Sequence, residues 1–241
     1  MKDLIVSFAS KGRDDYRVSL LRLIDSCKEH WPGDLLIYSP DHELSEYKGV
    51  TIHKGWPQPE GVKSFTHSEM PYQFKTAMIQ LALEKGYKRI IWLDSSMQLT
   101  KDITPLLDRS ATGIVTFHNL GHPTYKYLSD SAEKMLWKEG FFYDRDLVEI
   151  PQIWGGAFML DFNKKDAVNF FDLLKEFSCN GSFKDSGSSR YGFIAHRHDQ
   201  SVMSVLLYGK CDMLPYGTIV CPPHDRTGEY GNDYYLVCRG L

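Results

Sequence analysis

A chain of 241 residues, 42% hydrophobic and 24% charged with a formal net charge of −3, has the size and balance of one sizeable globular domain. So small a net charge excludes the electrostatic footprint of a nucleic-acid or membrane-surface binder, and no window is apolar enough for a membrane span. The first apolar run is too short for a signal peptide, and the five cysteines, Cys27, Cys179, Cys211, Cys221 and Cys238, include no CxxC pair. Reduced thiols in a cytoplasmic protein are the expectation.

In chain order, "DLIVSFAS" (3–10) reads as a buried strand, and "DYRVSLLRLIDSCKEHW" as a helix with Val18, Leu21, Leu23 and Ile24 on one side. "DLLIYSP" (34–40) is a second strand, ended by proline. This strand–helix–strand opening predicts an α/β fold with a parallel sheet. Residues 41–71 read as connections with one short strand at "GVTIHKG". "PYQFKTAMIQLALEKG" carries the clearest helical stripe, Phe74, Ala77, Met78, Leu81 and Ala82, with Pro71 near its start and Gly86 past its end. The strand "RIIWL", then Asp94, and a short helix at "ITPLLD" follow.

"GIVTFHN" (113–119) is a further strand, and a helix is expected around "DSAEKMLWKEG". "QIWGGAFMLDF" (152–162) reads as a strand, with Asn163 as cap of the helix "KKDAVNFFDLLKEF". The Gly- and Ser-rich stretch 180–192 reads as the most flexible segment, with Arg190 in a mobile lid. "DQSVMSVLLYGK" is a final helix and "DMLPYGTIV" a last strand. With no repeat and no linker, residues 1–241 read as a single domain.

Several residues invite chemistry. Ligands of open α/β sheets bind beyond the carboxyl ends of the strands, and Asp94 is the first residue past such an end. A carboxylate there either closes a turn or holds a hard cation against a diphosphate. Gly155 and Gly156 beside Trp154 weaken a strand unless a ligand or another backbone must come close. Asp199 opens an apolar-striped helix, as an N-cap or as a general base. Lys75 opposes the dipole of its helix, which nominates it for a phosphate.

The order "FKTAMIQLALEKGYKRI", "IWLD", "SSMQLTKDITPLLD", then "IWGGAFMLDF" and "HRHDQSVMSVLL" resembles GT-A-fold glycosyltransferases, glycogenin-like and lipopolysaccharide galactosyltransferase-like enzymes, over about residues 72–108 and 152–208. The resemblance implies a mixed, mostly parallel sheet flanked by helices, with a nucleotide-binding half at 1–110 and an acceptor-binding half at 111–241. It implies an enzyme, a hexosyl- or pentosyltransferase that moves a sugar from a nucleotide-diphosphate donor, UDP by family habit, to a hydroxyl of a glycan or glycolipid.

In that family an Asp-x-Asp motif holds Mn²⁺ or Mg²⁺; here the tripeptide is Asp94-Ser95-Ser96, with the second carboxylate absent. The metal ligands implied are Asp94, Ser96 and the tail residue His224. The donor contacts implied are Phe8, Ala9, Ser10, Arg13, Lys75, Asp94, Ser95, Trp154, Gly155, Gly156 and Gln200. Asp199 is the catalytic residue, as an inverting base or, paired with Gln200, as a contact to the sugar in retaining relatives. If the metal is lost, Lys75, Arg13, Arg190, Arg197 or Arg226 must neutralise the diphosphate. Two rival readings remain: a non-catalytic sugar-nucleotide or glycan-binding module, and a metal-dependent hydrolase built on His196, His198, Asp199, His224 and Asp225.

Overall fold

A computed structural model describes residues 3–10, 14–40, 50–142, 146–215, 217–220 and 234–238. Its strands are β1 (Leu4–Phe8), β2 (Asp34–Tyr38), β3 (Val50–His53), β4 (Arg89–Leu93), β5 (Met97–Leu99), β6 (Ile114–Pro123), β7 (Pro151–Asp161), β8 (Asp212–Leu214), β9 (Ile219–Val220) and β10 (Leu236–Cys238). The helices are α1 (Asp14–His30), α2 (Phe74–Glu84), α3 (Thr104–Asp108), α4 (Asp130–Lys138), α5 (Lys165–Cys179) and α6 (His198–Leu206). None is long and apolar enough to cross a membrane.

Seven strands form the central sheet in the order β3-β2-β1-β4-β7-β6-β8. β1, β2, β3 and β4 pair parallel, as do β6 and β8, whereas β7 runs antiparallel to both β4 and β6. This mixed, mostly parallel sheet flanked by helices is the arrangement that the sequence implies. Its central strands are apolar on both faces, as helix-covered strands must be. Successive residues alternate between the two layers: Leu4, Val6 and Phe8 pack with α2, α5 and α6, while Ile5, Ile91 and Leu93 pack with α1 and α3.

Local signals explain the element ends. Gly86, at φ +89°, closes α2: its N–H donates to Leu83 O at 2.9 Å, and that of Tyr87 to Ala82 O at 3.1 Å, the Schellman pattern. Four expectations need correction. Val18 points outward, 47% exposed, because Leu20 rather than Leu21 shares the buried side of α1 with Leu23, Ile24 and Cys27. Asn163 does not cap α5: Lys164 stands at that position, and Asn163 donates twice to Asp161 Oδ1, at 3.0 and 2.7 Å. "DMLPYGTIV" splits between β8, in the main sheet, and β9, in a small sheet ordered β5-β10-β9 that the sequence reading missed. The 180–192 stretch is tied down rather than free: Asp130 accepts from Ser188 and Ser189, and Arg190 pairs with Glu133 and donates to Tyr125 O at 2.6 Å and Leu128 O at 3.2 Å.

The turn into β2 leaves no room for a side chain at Gly33, where a Cβ would lie 2.4 Å from Asp3 O and 2.6 Å from the Trp31 ring. Gly33→Ala should therefore lower stability by about 1–3 kcal/mol through forced displacement. The check is urea denaturation, with a lower midpoint and an unchanged slope.

Candidate functional site

Asp94 follows directly on the end of β4. Its N–H donates to Gly156 O at 2.8 Å, and its carbonyl accepts from Met97 N at 2.9 Å, so the chain turns sharply into β5. β7 passes this point in the opposite direction. Leu93 is the last β4 residue paired with it, opposite Ala157, so residues 151–156 project beyond the carboxyl end of β4. That projection carries Trp154, Gly155 and Gly156 alongside Asp94.

The glycine pair exists because other side chains occupy the space. A Cβ on Gly156 would meet Asp94 Oδ2 and Met97 Cε at 2.9 Å, and one on Gly155 would meet Gln200 Cβ at 2.8 Å. Gln200 accepts from Gly155 N at 3.3 Å and donates to Gln152 Oε1 at 2.8 Å, which locks the start of α6 onto β7. The close approach read from "WGG" is real, and protein groups make it.

Lys75 lies at the centre. Only 3% exposed, its Nζ lies 2.7 Å from Gly155 O, 2.8 Å from Asp199 Oδ2 and 3.3 Å from Asp94 Oδ1, with the Tyr72 and Trp92 rings at 5.1 and 5.3 Å. Burial pulls its pKa down, but Asp199 and then Asp94 outweigh that and hold it above the ordinary lysine value. Burial pushes the Asp199 carboxyl pKa up, and Lys75 is the main force opposing that rise. Apart from this ion pair, Asp199 Oδ2 has no hydrogen-bond partner among the described residues. Three acceptors surround an ammonium with three N–H bonds, so Lys75, nominated for a phosphate, is spent on protein oxygens. One ammonium against two carboxylates leaves the trio with a single formal negative charge.

A cleft of about 280 Å³ opens over the trio, lined also by Tyr72, His196, Arg197, His198, Gln200 and both glycines. Its two flanking rings sit on unusual backbone. Tyr72 and His198 are the only non-glycine residues with positive φ among those described, at +60° and +46°, and their rings lie 5.3 Å apart. Such conformations cost on the order of 1–3 kcal/mol each and gather at functional sites. No sequence signal marks them. Tyr72 also titrates high, pushed up to about 12 by burial and then by the Asp199 charge, so its hydroxyl stays protonated.

The remaining nominated residues scatter. Phe8 is core, stacked on Phe74 at 4.1 Å, and Ala9 is buried in the opposite layer. Ser10 is half-buried at the end of β1, and Ser95 is buried. Ser96 Oγ lies 3.8 Å from Cys238 Sγ on the small sheet. Arg190 serves α4, as above. Arg13, His224, Asp225 and Arg226 lie outside the described residues.

Asp94 Oδ1 is engaged by Trp92 Nε1 at 2.7 Å and by Lys75, while Oδ2 takes no hydrogen bond among the described residues. This oxygen and the Ser96 hydroxyl are hard donors that suit Mn²⁺ or Mg²⁺. No group of three or more His, Cys, Asp or Glu is gathered among the described residues. The hydrolase reading loses His196, whose Nε2 meets Ser182 O at 2.8 Å while Nδ1 faces Ser129 N and Tyr127 O, both at 3.3 Å. Both ring nitrogens are occupied by backbone.

Removing the Lys75 charge should leave two carboxylates uncompensated. Lys75→Met is expected to lose about 3–5 kcal/mol of stability, and adding Asp199→Asn should recover part of it, both read by urea unfolding. A second expectation concerns acid. His196, 3% exposed, has its pKa lowered chiefly by burial, so the folded protein binds fewer protons there than the unfolded chain. The stability this residue contributes is present above the ordinary value near ~6.5 and lost as pH falls through its lowered folded pKa. Unfolding midpoints between neutral pH and about pH 5 should show that slope, and His196→Asn should flatten it.

No protein-family model matches the sequence, and no curated protein does. Among solved structures, the apo WbbM bifunctional glycosyltransferase superposes on 100% of this chain with a TM-score of 0.60 and 14% sequence identity. The chain spans 46% of that structure's length. At this identity the likeness shows the fold: this chain is built like part of a glycosyltransferase.

Proposed function

We propose that this chain transfers a sugar from a nucleotide-diphosphate donor, a UDP-sugar, to a hydroxyl of a glycan or glycolipid, as a hexosyl- or pentosyltransferase. The observation that carries this reading is the Lys75–Asp94–Asp199 cluster beneath a cleft at the carboxyl edge of the sheet. The glycosyltransferase-like fold supports it. In this reading residues 1–110 receive the nucleotide, with Ser10 and Arg13 near its base and ribose and Ser95 beside Asp94. Residues 111–241 receive the acceptor, with Trp154, the two glycines and Gln200 walling the sugar.

A diphosphate entering this cleft meets a trio with net negative charge, so it requires added positive charge. Asp94 Oδ2, with Ser96 and His224, would hold Mn²⁺ or Mg²⁺, which supplies neutralisation of the leaving diphosphate when bound. Arg197, whose guanidinium lies 4.7 Å over the Tyr127 ring, is the further cation among the described residues that line the cleft.

Thermal unfolding with UDP, GDP and CMP, each with and without Mn²⁺, tests the reading. UDP should raise the midpoint, more so with metal, since a ligand at 100 times its Kd adds about 2.7 kcal/mol. Asp94→Ala should abolish that shift while the protein stays folded; an undiminished shift removes Asp94 from the site. A UDP shift without turnover of any UDP-sugar would instead identify a non-catalytic binding module.

A further inference from the structure

Of the two imidazoles that line the cleft among the described residues, His196 has both ring nitrogens on backbone atoms, whereas only Nδ1 of His198 is so engaged. Its Nδ1 lies 2.7 Å from Phe183 O. A carbonyl oxygen only accepts, so Nδ1 carries the proton of the neutral ring, and the lone pair resides on Nε2. The ring is held in place from three directions: by that carbonyl, by the Tyr72 ring at 5.3 Å and by a backbone at φ +46°. The neighbouring Asp199, nominated from sequence for proton acceptance, is buried against Lys75 at 2.8 Å. A base oriented by a second hydrogen bond, in a cleft, is the arrangement that proton abstraction needs.

We propose that His198 Nε2 takes the proton of the acceptor hydroxyl during transfer, with Asp199 and Lys75 as positioning residues beneath it. This rests on the glycosyl-transfer reading above. As the hydroxyl oxygen bonds to the anomeric carbon of the donor, that carbon's bond to the diphosphate oxygen breaks. The electron pair leaves with the nucleoside diphosphate, and the hydroxyl proton passes to Nε2. This direct displacement of the diphosphate from the opposite face inverts the anomeric carbon. The groups facing His198 are Tyr72 and His67 from the segment before α2, Lys75 of α2, and His196, Arg197 and Asp199 from its own segment.

The test uses the full chain with UDP-glucose, UDP-galactose and UDP-N-acetylglucosamine as donors and octyl glycosides as acceptors. His198→Asn keeps a residue type that tolerates positive φ, and His198→Gly guards against a folding defect. Expected are a fall in kcat of about 10²–10⁴-fold, an unchanged thermal shift with UDP, partial rescue of His198→Gly by added imidazole, and an inverted product by proton NMR. Undiminished kcat in folded variants, a rise in KM with kcat intact, or a retained anomeric configuration overturns the proposal while leaving transfer standing. No turnover by the wild type overturns the transfer reading and the proposal with it.

Discussion

A single buried ammonium organises the working edge of this molecule. Lys75 touches the residue after β4, the first turn of α6 and the projecting end of β7, three segments that sequence order keeps far apart. Removing one partner of a buried charge cluster is far more damaging than never having built it. The cluster therefore fixes where α6 begins relative to β4, and with it the position of every residue between His196 and Gln200.

The antiparallel strand β7 makes that cluster possible. Were β7 parallel to β4, its carboxyl end would lie beside Asp94. Running the other way, it delivers its amino-terminal residues there and exposes the Gly155 carbonyl to Lys75. The two glycines then allow Asp94 and Gln200 to pack against bare backbone. Strain follows at the rim, where Tyr72 and His198 hold positive φ and their rings meet with centroids 5.3 Å apart. The tight packing below, through Gln200, Gln152 and Ser201, over-determines the start of α6 enough to sustain it.

Electrostatics sets the terms for any anionic ligand. At the floor of the cleft Lys75 is surrounded by three protein oxygens, two of them carboxylate. In the proposed reading, a diphosphate here is met by added positive charge, from Arg197 or from a divalent ion on Asp94 Oδ2. The tripeptide Asp94-Ser95-Ser96 carries one carboxylate. Asp199, distant in sequence, places a second carboxylate on the same ammonium.

The sequence by itself determined the α/β class, the main-sheet strands other than the division at 212–220, and the six helices of the described residues to within a few residues. Those elements are written in local periodicity and in turn residues such as Gly86, which act over a few positions. It also marked Asp94, Gly155, Gly156, Lys75 and Asp199 as unusual for where they stand. It did not reveal that Lys75 faces inward to two carboxylates, that β7 is antiparallel, that β5, β9 and β10 form a second sheet, or that Tyr72 and His198 adopt positive φ. Each of these is decided by contacts between segments tens of residues apart. Burial chooses the ammonium's partners, and packing of α6 on β7 imposes the backbone strain; neither leaves a periodic trace in the chain.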